Sequence, residues 1–142
     1  MTKIDTVLSA DFAPVSKPGL PEPEAELGRA RDATPMMTIW AECTVSAAHR
    51  FAQYEMHGHT YFVRVSVREG QDGFLNAESF RDELMRIRAG VDHRCLNDVL
   101  ETPTMEELAR WFAREVGKEG FDVTEVQIIR PEGLGCRLTL AG

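Results

Sequence analysis

Between His57 and Arg68 the chain alternates. His57, His59, Tyr61, Val63, Val65 and Val67 share one face of an extended segment, and Gly58, Thr60, Phe62, Arg64, Ser66 and Arg68 share the other. A period of two predicts a strand with one buried side. Thr38 to Ala48 is also strand-like in composition, and only seven residues separate His49 from His57, so the two strands are expected to pair antiparallel. After a turn at Gly70 to Gly73 the period becomes helical. Asn76 can cap a helix carrying Phe80, Leu84, Ile87 and Val91 at spacings of 4, 3 and 4, with Gly90 as terminator. A second helix follows Pro103. Thr104 and Glu107 form a capping-box pattern, Leu108, Trp111, Phe112 and Val116 fall on one side, and Gly117 to Gly120 marks the end. Two short strands, Val123 to Ile129 and Cys136 to Leu140, are separated by Pro131, Gly133 and Gly135. The order ββααββ predicts an α+β domain.

This pattern does not extend to the N-terminus. Five of the seven prolines, Pro14, Pro18, Pro21, Pro23 and Pro35, lie where apolar periodicity is weak. Residues 1–36 are therefore read as an extension or linker with at most a short helix around Glu22 to Arg31, and residues 37–142 as the folded domain. A chain of 142 residues accommodates one core but not two ordinary domains.

Composition narrows the function classes. Hydrophobic residues make up 43% and charged residues 27%, as in soluble globular proteins. No apolar run approaches the roughly 20 residues a membrane helix needs, and no apolar block with a cleavage site follows Lys3, so a cytoplasmic address and no membrane partner are expected. The formal charge is −7 and the basic residues are scattered, which argues against a nucleic-acid partner. Cys43, Cys95 and Cys136 have neither disulfide-framework nor metal-knuckle spacing and read as reduced thiols.

The histidines carry the clearest chemistry. Three of the four, His49, His57 and His59, fall within eleven residues. A catalytic zinc ion usually takes three protein ligands and leaves a fourth position open. Residues i and i+2 of a strand point the same way with Cα atoms about 6.5 to 7 Å apart, which two imidazoles leaning inward can bridge. Gly58 keeps the opposite face clear, and His49 supplies a third direction from the neighbouring strand. Zn2+ is the expected cofactor. The fourth histidine, His93, follows Asp92 in a polar connector, where a carboxylate can orient an imidazole for proton transfer; adjacent residues need not bond to each other, however.

With these motifs in order, the sequence resembles the 6-pyruvoyl-tetrahydropterin synthase family, which includes the 6-carboxytetrahydropterin synthases of queuosine biosynthesis. Ser46-Ala47-Ala48-His49-Arg50 is similar to its first zinc-histidine segment, His57-Gly58-His59-Thr60-Tyr61 to its paired-histidine strand, and Asp92-His93-Arg94-Cys95-Leu96-Asn97-Asp98 to the segment supplying its catalytic Asp and His. Pro103 to Ala109 is similar to the start of its second helix. The resemblance covers about Thr38 to Leu140. It implies the tunnelling fold, a four-stranded antiparallel sheet with two helices on one face, in which subunits close their sheets into an oligomeric barrel, normally a hexamer built as a dimer of trimers. It also implies Asp92 and His93 as catalytic residues, Thr104, Glu106, Arg130 and Glu132 as substrate-binding candidates, and a small-molecule pterin-like substrate.

Two departures bear on chemistry. The family's catalytic cysteine position, four residues before the paired histidines, is Gln53 here, on a short loop. Glu55 is the nearest ionisable candidate, either as a general base beside the metal or as a solvated turn residue. In the last strand pair, the residue aligned with the pterin-anchoring glutamate is Arg130, which has donors only. Glu132 can substitute through a shifted hairpin, Arg130 can bind a carboxylate or phosphate, or Arg130 belongs to a surface ion pair. The expected function is a zinc-dependent lyase or synthase acting on 7,8-dihydroneopterin triphosphate or a related dihydropterin. The alternative is a catalytically silent or repurposed zinc-binding homologue that takes another small anionic ligand.

Overall fold

Two long β-branched segments build the floor of the domain. In a computed structural model, which describes residues 35–141, β1 (Thr38–His49) pairs antiparallel with β2 (His57–Arg68) over their full lengths, from Thr38 opposite Arg68 to His49 opposite His57. β2 in turn pairs with β3 (Val123–Arg130), and β3 with β4 (Leu134–Thr139), giving an antiparallel sheet in the order β1-β2-β3-β4. Except for its last two residues, the expected extension over residues 1–36, with its helix around Glu22 to Arg31, lies outside the described residues.

One face of the sheet is dry. Ala41, Cys43, Val45 and Ala47 of β1, Tyr61, Val63, Val65 and Val67 of β2, and Val123, Val126 and Ile128 of β3 are buried on it. A bulge at Ser66 and Val67 leaves Thr124 out of register, so that Val123 and Val126 both reach this side. The helices α1 (Ala77–Arg88) and α2 (Met105–Lys118) cover it, α1 against β1 and α2 against β3 and β4, through Phe80, Leu84 and Ile87 and through Leu108, Ala109, Phe112 and Val116. The other face carries exposed Trp40, Phe62 and Ile129, with the Arg64 guanidinium 4.4 Å above the Trp40 ring and paired to Glu42.

The helix signals act largely as written. Asn76 caps α1 by accepting from the Ser79 amide at 3.0 Å, and the Thr104 hydroxyl accepts from the Glu107 amide at 3.3 Å. The reciprocal half of the capping box is absent: Thr104 N–H donates to the Thr102 carbonyl, and the Glu107 carboxylate pairs with Arg110. Gly90 follows α1 without a left-handed backbone; a Cβ there would crowd the Ile87 carbonyl oxygen at 3.2 Å and reach ordinary contact with the Trp111 ring. β4 begins two residues earlier than expected. Gly133, with φ of 89°, makes the turn, whereas Gly135 is a ladder residue whose added Cβ would sit 2.6 Å from the Ile128 carbonyl oxygen.

The connector between the helices was expected only as a polar loop, yet it has its own hydrophobic anchor. Leu96, fully buried, starts a 3-10 turn (Leu96–Asp98), and Val91 and Leu100 are buried on either side. Anchoring from below lets residues 93–95 lie along the outer edge of β1. His93 N–H donates to the Ser46 carbonyl at 2.6 Å, Ala48 N–H donates to the Arg94 carbonyl at 3.0 Å, and Ala48 bridges Cys95 in parallel. Leu96→Ala is expected to cost about 2 to 5 kcal/mol, the usual range for a buried leucine, measured by urea unfolding; a loss under 1 kcal/mol would mean the connector is held by its edge bonds alone.

Candidate active site

Cross-strand pairing places His49 directly opposite His57, and His59 follows two residues on, so all three imidazoles project from the helix-covered side at the end of the sheet. Their ring centroids lie 4.6, 4.7 and 5.1 Å apart at steep interplanar angles, and one ligand atom from each falls within 4.8 Å of the others. The outward nitrogens of two rings are tied down. His49 Nδ1 is 2.6 Å from the Pro103 carbonyl oxygen and His57 Nδ1 is 2.7 Å from the Glu55 carbonyl oxygen. A carbonyl can only accept, so each Nδ1 carries a proton, and in a neutral ring this leaves Nε2 as the ligand atom. Those two Nε2 atoms face each other at 3.0 Å.

With both rings neutral, two lone pairs at that distance repel unless a proton or a metal cation lies between them. Tetrahedral zinc with bonds of about 2.0–2.1 Å sets its nitrogen ligands roughly 3.3 Å apart, so the donors stand close to the required spacing. Burial, then Arg130 and the two neighbouring imidazoles, pushes the His59 pKa below its ordinary value against an opposing pull from Glu132, a net shift that favours the neutral, metal-binding form of the ring. The residues thus fit a three-imidazole metal site, with backbone carbonyls setting the tautomers of His49 and His57.

The adjacent pair in the connector does bond to itself. His93 has a left-handed backbone, φ of 56°, which turns its ring back so that Nδ1 lies 2.8 Å from Asp92 Oδ2. Asp92 Oδ1 accepts from the Ser46 amide at 2.9 Å, and Oδ2 also takes the Arg88 guanidinium at 2.9 Å. Burial pushes the Asp92 carboxyl up, but the Ser46 amide, His93 and Arg88 outweigh it and hold the pKa below the usual range. Asn97, quoted above only within a motif, grips the chain just past His49: its side chain accepts from Arg50 N–H at 2.8 Å and donates to the Arg50 carbonyl at 2.9 Å. An open depression of about 570 Å³ is lined by Ser46 to Ala48, Gly58 to Thr60 and His93 to Cys95, so His59 and His93 border the same space.

Other candidates are dispersed. Glu55 uses its carbonyl on His57, while its side chain is exposed beside a second depression with Arg50, Gln53 and Tyr54. Arg130 and Glu132 form an ion pair at 3.2 Å in the β3–β4 turn, close enough to His59 and buried Tyr61 to influence both. The Glu132 pKa is lowered by its own backbone N–H and then by Arg130. Thr104 is occupied as the α2 cap, and Glu106 points toward Arg110, Cys136 and Arg137 near β4 rather than toward the histidines. Arg88 was not singled out from the sequence, although its spacing of four from Asp92 is a helical ion-pair signal.

Asp92 gives a pH-dependent prediction. A carboxylate with a depressed folded-state pKa contributes its full stability above the unfolded value of about 3.9 and loses it as pH falls through the folded one. Asp92→Ala is expected to lower unfolding free energy by about 2 kcal/mol at pH 5, with the difference from the parent protein shrinking below about pH 4. A difference that grows as pH falls from about 5 to about 3 would contradict this.

Comparison with known proteins places this geometry. Residues 38–139, from the first residue of β1 to the last of β4, match the sequence model of the 6-pyruvoyl tetrahydropterin synthase family. A dihydroneopterin monophosphate aldolase of Pyrococcus furiosus is 33% identical over 69 residues, covering 45% of this chain and 58% of that protein's length. The 6-pyruvoyl tetrahydropterin synthase of Caenorhabditis elegans shares the fold with a TM-score of 0.60 at 19% identity, covering 75% of this chain and 97% of that one. A Plasmodium vivax 6-pyruvoyltetrahydropterin synthase, solved with its catalytic glutamate replaced by alanine, superposes with a TM-score of 0.50 at 13% identity, covering 75% and 100%. The four-stranded sheet with its two helices is the tunnelling fold, and the chain belongs to the 6-pyruvoyl tetrahydropterin synthase family.

Proposed function

We propose that this chain is a zinc-dependent lyase that acts on the side chain of a dihydropterin, 7,8-dihydroneopterin triphosphate or a less phosphorylated relative. The observation that carries the reading is the convergence of His49, His57 and His59, two of them with the Nδ1 proton held on a carbonyl. Bound zinc supplies Lewis-acid polarisation of substrate oxygens, easing removal of a proton from the adjacent carbon. Family membership supports the pterin, and the aldolase relative supports cleavage of a phosphorylated side chain.

The chain's own groups then divide the work. Glu55, at the mouth of the β1–β2 loop where the family's cysteine is absent, is the candidate base; a glutamate serves as catalytic residue in the Plasmodium fold relative. The Asp92–His93 pair moves protons at His93 Nε2 while Asp92 holds Nδ1. Arg130 is placed to meet phosphate if Glu132 gives it up. Thr104 and Glu106 have no direct part in this reading as a single chain is arranged, and contact substrate only if a neighbouring subunit brings them to the pocket. A hexameric barrel, in which exposed Trp40, Phe62 and Ile129 line the inner face, belongs to the same proposal. So does a cytoplasmic address; among the described residues no helix is long and apolar enough to cross a membrane.

The Arg130–Glu132 ion pair and Gln53 favour a second reading, a zinc-binding homologue without turnover that holds another small anion. Incubation with dihydroneopterin triphosphate and monophosphate, read by mass spectrometry, separates the two: side-chain release supports the lyase, and no product together with no pterin-induced rise in melting temperature sinks it. Elemental analysis is expected to find about one zinc per subunit, largely lost in the double variant His57→Ala with His59→Ala; unchanged zinc would remove these residues from the site. Glu55→Gln is expected to keep the metal and lose turnover by about 100-fold or more, and unchanged turnover would leave Glu55 a solvated turn residue.

A further inference from the structure

Asp92 has more partners than orienting an imidazole requires. Its Oδ2 is shared between His93 Nδ1 at 2.8 Å and the Arg88 guanidinium at 2.9 Å. Arg88 is itself fixed. From the last turn of α1, its Nε donates to the Thr44 carbonyl on the outer edge of β1, while the NH2 group that meets Asp92 is the other arm of the same planar fork. Thr44 and Ser46 are alternate residues of that edge: the first receives Arg88, and the second gives its amide to Asp92 and its carbonyl to His93. Helix, strand edge and connector are thereby joined through one guanidinium.

We propose that Arg88 is a positioning residue for the Asp92–His93 pair: anchored on Thr44, it fixes the direction of the Asp92 carboxylate and, by sharing Oδ2, limits how strongly that carboxylate stabilises a protonated His93. This rests on the reading of Asp92 and His93 as a proton-moving pair, but its physical content is independent of any substrate. An unshared carboxylate would favour the imidazolium and hold the proton; one shared with a permanent cation leaves His93 freer to release it. A lysine cannot reproduce the arrangement, because one ammonium on a flexible stem lacks the rigid fork that meets Thr44 and Asp92 at set angles.

The groups that face the pair are limited. Arg88 comes from α1, Arg94 and Cys95 from the connector, the Ser46 amide and the buried Cys43 thiol from β1, and His59 from β2 across the open depression. Cys43 is pushed up to about 11, burial being the largest cause, and stays uncharged throughout the range in which an imidazole titrates. Among the described residues Arg88 is the cation that bonds directly to Asp92 besides His93 itself.

The test is a pH titration of the histidine ring signals by NMR on the full, zinc-loaded chain, with the His93 signal assigned from His93→Asn. Arg88→Gln is expected to raise the His93 midpoint by about half a unit or more, with Arg88→Lys between it and the parent. In an Asp92→Asn background the Arg88→Gln shift should disappear. An unchanged midpoint in Arg88→Gln would overturn the proposal, as would an equal shift with and without Asp92, which would make Arg88 a distant charge only. Should Arg88→Gln not fold, Arg88→Lys decides by the same criterion, a midpoint identical to the parent's being the contrary result. If dihydropterin turnover is found, the kcat–pH profile should move with the midpoint while KM changes less than about twofold. Absence of turnover with the expected titration would sink the lyase reading and leave the role of Arg88 standing.

Discussion

Register between β1 and β2 is the constraint on which the site depends. Because side chains alternate strictly along a strand, a slip of one residue would carry His57 and His59 to the far face and leave His49 alone. The slip is opposed along the whole ladder, since the same shift would drive Tyr61, Val63, Val65 and Val67 out of the core and Phe62 and Arg64 into it. The arrangement of the three histidines is therefore held mainly by residues remote from it. Burial of four such side chains, at about 1.5 to 3 kcal/mol for each large apolar one, holds the register without any help from a metal ion.

On this floor two loops are fastened by different means. The β1–β2 loop is short, contains a left-handed alanine, Ala52, with φ of 52°, and is clamped by the Asn97 side chain acting on both backbone groups of Arg50. The connector after α1 is anchored below by Leu96 and sideways by the β1 edge. The left-handed conformation of His93 costs of order 1 to 2 kcal/mol, offset by the bond to Ser46 and by Asp92. Edge pairing also covers the end of β1, where an unpaired strand would otherwise invite another chain.

Most of the fold was legible because its signals are periodic. The alternation in β2, the spacing of Phe80, Leu84 and Ile87, and the caps at Asn76 and Thr104 each have one physical meaning, and the structure realises them. The clustering of His49, His57 and His59 followed from the same alternation plus a short loop. What could not be read is tertiary. Nothing local marks Leu96 as a fully buried anchor in a polar connector, or Gly135 as a strand residue and not a loop one. The bond between Asp92 and His93 depends on a backbone angle that no spacing reveals, and the contact of Arg130 with Glu132 depends on the turn geometry of the β3–β4 hairpin.

The proposed metal site rests on three convergent imidazoles, two of them oriented by backbone carbonyls. X-ray absorption at the zinc edge on the full chain tests this directly. The predicted spectrum shows three imidazole nitrogens at about 2.0 to 2.1 Å with one light oxygen or nitrogen ligand completing the shell. A sulfur scatterer at about 2.3 Å, which would implicate Cys95 beside the site, or a six-oxygen shell like that of hydrated zinc, would contradict it.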